Sequence, residues 1–224
     1  MATKINALTT PQNKAFNQKV FCIGLNKTGT TSLEQFMREN GFKCGDQAEG
    51  ELLINAYTDK RWDEIVSFCN SAEFFQDLPF SAPKTAEVLL KKFPDAKYIL
   101  TIRESAEVWY KSITEFHKIK FGKAGNLPTK ADLNRALYRY KGFAWDANRA
   151  LYDSPEKEPY QKVTLIKAYE DHIHNVNQLF KGKQNLLIID IGKRDAVQHL
   201  NDFLGIKSNL NTMPWLNKTS EAKK

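Results

Sequence analysis

One stretch near the start of this chain restricts its fold more than any other. Val20-Phe21-Cys22-Ile23-Gly24 is a short, nearly continuous apolar run, the pattern of a strand buried on both faces. It runs directly into a turn rich in Gly and Thr, then into a helical pattern from Ser32 to Asn40 that Gly41 ends. A loop in that place turns backbone N–H groups toward an anion, and the helix dipole adds partial positive charge.

The rest of the chain repeats the alternation. Glu73-Phe74-Phe75-Gln76 predicts a second strand ending at Asp77, residues 96–102 a third and residues 185–189 a fourth. Helical spacing predicts helices over 62–69, 83–93, 105–120, 130–152, 160–181 and 196–204. Strands alternating with helices imply an α/β fold, with right-handed crossovers, a mostly parallel central sheet and helices on both faces. Ligands of such sheets bind at the carboxyl ends of the strands. The Pro- and Gly-containing stretches 122–129 and 153–159 are candidate mobile loops over that edge. Residues 1–18 are polar and are expected to form a flexible arm, leaving 19–224 as a single domain.

Composition removes other possibilities. Hydrophobic residues at 42% and aromatics at 12% of 224 positions suffice for a substantial core, which excludes wholesale disorder. The net charge of +7 suits a polyanionic ligand, but the basic residues are spread along the chain, which argues against a nucleic-acid partner. Cys22, Cys44 and Cys69 lack the C-x-x-C spacing of a zinc site and are expected to be reduced thiols. Residues 1–19 show no apolar leader region, and no run approaches the roughly 18 apolar residues of a membrane span. The expectation is a cytoplasmic protein with no membrane partner.

The loop after the first strand is unusual within its class. Gly24 and Gly29 have the G-x-x-x-x-G spacing of a nucleotide-binding phosphate loop, whose Walker form then requires Lys and Ser or Thr. Here Thr30 occupies the lysine position, and the lysine has moved inside the loop as Lys27. It would reach a different oxygen, and no aspartate stands out to share a magnesium ion, so no metal is expected.

Lys27-Thr28-Gly29-Thr30-Thr31-Ser32 resembles the K-T-G-T-T-S run of the sulfotransferases that use 3'-phosphoadenosine-5'-phosphosulfate (PAPS). That resemblance implies the P-loop NTPase-like sulfotransferase fold. It implies that the segment from Asn26 to Ser32 forms the 5'-phosphosulfate loop. Within it, Lys27 and the amides and hydroxyls of Thr28, Gly29, Thr30 and Thr31 would hold the 5'-phosphate and sulfate. A second resemblance covers Tyr98-Ile99-Leu100-Thr101-Ile102-Arg103 and Trp109-Tyr110-Lys111-Ser112, which is similar to the family's 3'-phosphate segment. By resemblance Arg103 and Ser112 grip that phosphate; the serine comes one residue late, so Lys111 is the other candidate. The tail, with Phe203-Leu204-Gly205-Ile206 and then Met213-Pro214-Trp215-Leu216-Asn217-Lys218, is similar to the family's ending. There Lys218 either closes over the nucleotide or is a solvated lysine.

The activity so implied is in-line transfer of the sulfuryl group of PAPS to a hydroxyl or amine of a small acceptor, with 3'-phosphoadenosine-5'-phosphate (PAP) as product. Lys27 would stabilise the leaving phosphate electrostatically. A base must take the acceptor's proton. Asp77 is the first choice because it ends a strand on the binding edge beside aromatic residues; His117 and Asp46 are alternatives. His172 and His174, two apart on a helix, point to different faces and make a poor metal pair. Two other readings stay open: a P-loop ATP-dependent kinase, and a non-catalytic nucleotide-binding protein of the same fold.

Overall fold

The computed structural model describes residues 18–214. The arm expected over 1–18 and the candidate Lys218 therefore fall almost wholly outside the described residues. Four strands, β1 (Val20–Cys22), β2 (Phe74–Phe75), β3 (Lys97–Thr101) and β4 (Leu186–Ile189), form one sheet in the order β2-β1-β3-β4. Every pairing is parallel, with Val20 opposite Phe74 and Lys97, and Tyr98 opposite Leu186. The α/β architecture expected from the alternation is the one observed.

Both faces of the sheet are covered because side chains alternate along each strand. Val20 and Cys22 point to one face, where they join Leu33, Phe36 and Met37 of α1 (Thr30–Glu39) and Val197 and Leu200 of α10 (Ala196–Leu204). Phe21 and Ile23 point to the other. There they meet Ile65 of α4 (Trp62–Phe68), Leu89 of α5 (Thr85–Lys92) and Val176 of α9 (Lys162–Leu179). Each such large side chain, fully buried, stabilises by roughly 1.5–3 kcal/mol. The two faces together fix the sheet and so fix where its carboxyl edge lies.

A third cluster grows over that edge. It starts from Leu25 and Leu78, which follow β1 and β2, and takes in Trp109 and Ile113 of α6 (Ala106–Phe121). Leu133 of α7 (Lys130–Arg135) and Phe143, Leu151 and Tyr152 of α8 (Phe143–Tyr152) complete it. The spacing predicted one helix over 130–152, but the structure breaks it. A Thr129/Asp132 capping box starts α7, Ala136 turns extended, and Gly142 at φ 98° restarts the chain as the N-cap of α8. The intervening residues are closed by a bridge between Leu137 and Lys141, which leaves Leu137 82% exposed and sends Arg139 inward to an ion pair. A left-handed glycine and a buried ionic partner outweigh helical spacing there.

Two short helices, α2 (Gln47–Leu52) and α3 (Ile54–Thr58), fall where the sequence pattern predicts no element. The stretch 153–159, expected to be mobile, is held to α8: Arg149 donates to the Ser154 carbonyl at 2.8 Å and Asn148 to the Pro159 carbonyl at 3.2 Å. Among the described residues no helix is long and apolar enough to cross a membrane.

Candidate functional site

The loop after β1 is built by close packing on β3. A Cβ on Gly24 would lie 2.0 Å from Thr101 Oγ1 and 2.6 Å from the Thr101 carbonyl oxygen, so only glycine lets the chain pass. Thr28 is buried against the same residue. Its hydroxyl donates to the Leu25 carbonyl at 2.5 Å and lies 2.6 Å from Thr101 Oγ1, while its amide donates to the Leu25 carbonyl at 3.3 Å. A hydroxyl has one hydrogen, so Thr101 is the donor to Thr28. This corrects the expectation that the Thr28 amide and hydroxyl hold a phosphate: both shape the loop instead.

Lys27 at φ 65° and Gly29 at φ 100° then fold the loop back to the helix. Gly29 is the N-cap of α1 and supplies no side chain, and the first turn carries no acidic residue. Thr30, Thr31 and Ser32 of that turn line a cavity of about 250 Å³. A helix N-terminus of this kind suits an anion by its dipole and its outward N–H groups.

Neighbouring elements hold the loop in place. Arg103, just past β3, donates from Nε to the Lys27 carbonyl at 2.7 Å, and its own amide donates to the Tyr169 hydroxyl at 2.8 Å. No partner is seen for its two terminal nitrogens among the described residues, and Arg103 lines the cavity beside Lys27. Trp109 Nε1 donates to the Asn26 carbonyl at 3.0 Å, and the Tyr152 hydroxyl donates to Asn26 Oδ1. Lys27 Nζ lies 4.1 Å from the centre of the Phe116 ring. Burial and the Arg103 charge push the Lys27 pKa down, and Asp77 pulls it up.

Asp77 lines the same cavity, two residues past the end of β2. Its φ of 61° turns the chain sharply at the sheet edge. Oδ1 accepts from the Leu78 amide at 3.1 Å and Oδ2 from Gln47 Nε2 at 3.1 Å. Burial, and next the nearby Glu51 charge, push its pKa up to about 7. The side chain also keeps partial contact with the cavity it lines. Glu51 is 4% exposed, accepts from Gln47 Nε2 at 2.8 Å and pairs with Arg139.

His117 lines the cavity too, but burial, and then Lys27, push its pKa down to about 3. Its Nδ1 lies 2.6 Å from the Tyr160 hydroxyl. It is therefore neutral at neutral pH and a weak proton acceptor. Leu78, Phe116, Phe121, Phe143 and Leu151 give the cavity its apolar walls.

Other sequence candidates lie elsewhere. Lys111 is exposed on the outer side of α6, in a shallow groove with Tyr110 and Lys118. Ser112 is partly buried and is not among the residues lining the cavity. Asp46 is the N-cap of α2, accepting from the Glu49 amide at 3.0 Å. His172 is a core residue whose Nε2 lies 2.7 Å from the Ile23 carbonyl, and His174 is exposed. Among the described residues no group of three or more His, Cys, Asp or Glu side chains is placed to hold a metal ion.

Sequence reasoning missed Gln47, Glu51, Arg139 and Tyr152 as members of this site. The usable signal was Asp46 as a cap followed by Gln47 and Glu51 one helical turn apart, legible only once α2 is recognised.

A family model described as a sulfotransferase domain matches residues 19–222, nearly the whole chain. No curated protein matches it.

Proposed function

The chain belongs to the sulfotransferase-domain family, and from that premise we propose that it transfers the sulfuryl group of PAPS to a hydroxyl or amine of a small acceptor. PAPS, when bound, supplies the activated sulfuryl group on a phosphate that leaves readily. The residues present suit such a polyanion. Asn26, Lys27, Gly29, Thr30, Thr31 and Ser32 form a loop and helix start that favour negative charge, with Arg103 beside them. Arg103 braces the loop through Nε, and its remaining nitrogens are free to hold the nucleotide's 3'-phosphate.

The chemistry falls to two side chains. Lys27 places positive charge where the bridging oxygen departs, a contribution commonly of a few kcal/mol. Asp77 takes the acceptor's proton. A group titrating near 7 combines a useful ionised fraction with real proton affinity at neutral pH, which a base at about 3 such as His117 does not. The apolar walls exclude water from the reacting groups and bind the acceptor's carbon frame. Three free cysteines, two of them buried, fit the reducing cytoplasm that this reading implies.

The observation that carries the reading is the juxtaposition itself: one cavity lined by a lysine, an arginine, a helix N-terminus and a carboxyl of raised proton affinity. The test is turnover with PAPS and a panel of small acceptors. Asp77→Asn should lower turnover by ~100-fold or more while PAP still binds. Lys27→Ala should lower turnover more than PAP affinity. Near-normal turnover in Asp77→Asn would remove the base assignment, and strict preference for ATP with magnesium would remove the sulfotransferase reading.

A further inference from the structure

We propose that Glu51, held by Arg139 and joined to Asp77 through Gln47, is a positioning residue that sets the proton affinity of Asp77. The inference rests on Asp77 serving as the base in the function proposed above. Gln47 and Glu51 are one helical turn apart on α2 and so share a face. The Gln47 amide nitrogen sends one hydrogen to Asp77 Oδ2 at 3.1 Å and the other to Glu51 Oε1 at 2.8 Å. Ionised carboxylates only accept, so the two contacts fix which way the amide faces. The second oxygen of Glu51 meets Arg139 Nε from the 137–141 segment.

The arrangement has an electrostatic consequence. A carboxyl that is 4% exposed and has no cation beside it would take up a proton rather than ionise. Burial raises the Glu51 pKa, and the Gln47 hydrogen bond and then Arg139 offset part of that rise, so the negative charge they favour lies one amide away from Asp77. An ionised carboxylate disfavours ionisation of its neighbour. Gln47 keeps the two from collapsing onto a shared proton. Burial of Asp77 weakens when water fills the cavity, whereas the Glu51 charge persists in the open site.

Other groups facing Asp77 act less strongly or cancel. Glu34, reached through a 3.0 Å bond from Gln76, pushes in the same direction. Arg139 and the Leu78 amide push the other way, and Lys27 in the same cavity opposes. Cys22, Tyr138 and Tyr152 are held neutral near pH 7 by burial. Glu51 is thus the largest charged contribution to the proton affinity of Asp77.

The experiment is a pH titration of side-chain carboxyl carbons by NMR in the full-length protein, with Asp77 identified by its loss in Asp77→Asn. Glu51→Gln should lower the Asp77 midpoint by about one pH unit or more. An unchanged or higher midpoint would overturn the proposal. Glu51→Met removes the same charge without introducing a buried amide, so the midpoint should fall there too; an unchanged or higher one would also overturn the proposal. That second variant decides the matter if Glu51→Gln does not fold. A role in packing alone predicts no such shift in either variant. The measurement needs no turnover, so full activity in Asp77→Asn would remove the base assignment and leave the Glu51 effect readable.

Discussion

Asp77→Asn should cost the protein its activity and make its stability less sensitive to pH between about 4 and 7. The Asp77 carboxyl is raised in the fold from 3.8 to about 7, first by burial and then by Glu51. An aspartate unfolds into water with a pKa near 3.9. Between those values the folded state therefore binds more proton than the unfolded one, and stability falls as pH rises through that window. Above about pH 7 both states are ionised and the loss is complete. Three pH units at about 1.4 kcal/mol each give an upper bound of roughly 4 kcal/mol. Water reaching the carboxyl through the cavity reduces this, and roughly 2 kcal/mol is the working figure.

The variant lacks this dependence. Its stability relative to the parent should therefore climb by roughly 2 kcal/mol between pH 4 and pH 8 and then level off. For a chain of this size that is about 4–8 °C in the difference of midpoint temperatures. Any constant penalty, such as the introduced side-chain amide meeting the Gln47 amide, shifts the whole curve and leaves its slope intact. Urea melts of both proteins in a series of buffers measure it. A difference that stays flat with pH, or falls, would mean that Asp77 titrates as an ordinary carboxylate, and the case for it as a base at neutral pH would go with it.

The remaining expectations concern the phosphate loop. Arg103→Ala should weaken PAP binding by about 30- to 150-fold, the 2–3 kcal/mol of a charge-assisted contact, and spare adenosine-5'-phosphosulfate, as titration calorimetry with both ligands would show. Equal losses would mean that Arg103 serves only to brace the Lys27 carbonyl. Gly24→Ala puts a methyl 2.0 Å from Thr101 Oγ1 and 2.6 Å from the Thr101 carbonyl oxygen, so β1 and β3 must separate. Thermal melts should show it destabilised by about 3 kcal/mol and without a PAP-induced rise in midpoint, and a midpoint within a degree of the parent would show that the loop gives way cheaply.

The parts of this fold legible in the sequence are those with strong local periodicity. The apolar runs at residues 20–24, 96–102 and 185–189 pair as strands because each has a side chain for both faces of a covered sheet. The tight loop after β1 is legible because its glycines serve a backbone shape set within the nine residues from Gly24 to Ser32. What was not legible depends on partners far along the chain. Arg139 breaks the predicted 130–152 helix to reach Glu51, a contact spanning 88 residues. Lys111 fails as a cavity residue because Trp109 and Ile113 are the buried side of α6, and a residue two places after Trp109 faces away. The Thr28 hydroxyl looked available in the sequence and is consumed by Thr101, 73 residues later.

The cavity also concentrates features that stability alone would remove. Lys27 and Asp77 both take left-handed φ values that only glycine adopts freely, and each such residue costs of order 1–3 kcal/mol. Lys27 sits beside Arg103, and Asp77 sits within reach of Glu51, so like charges act on each other at two places in the cavity. The surrounding structure can tolerate this because three apolar clusters fix the backbone on either side of the strand ends. Each strained or repelled group acts on the next. The lysine loses charge stability from burial and Arg103 and regains some from Asp77, while the carboxyl gains proton affinity from burial and Glu51. A partly buried cation and a carboxyl of raised proton affinity thereby line one small space, as the proposed function needs. Relieving either strain would make the protein more stable and the site less able to do both.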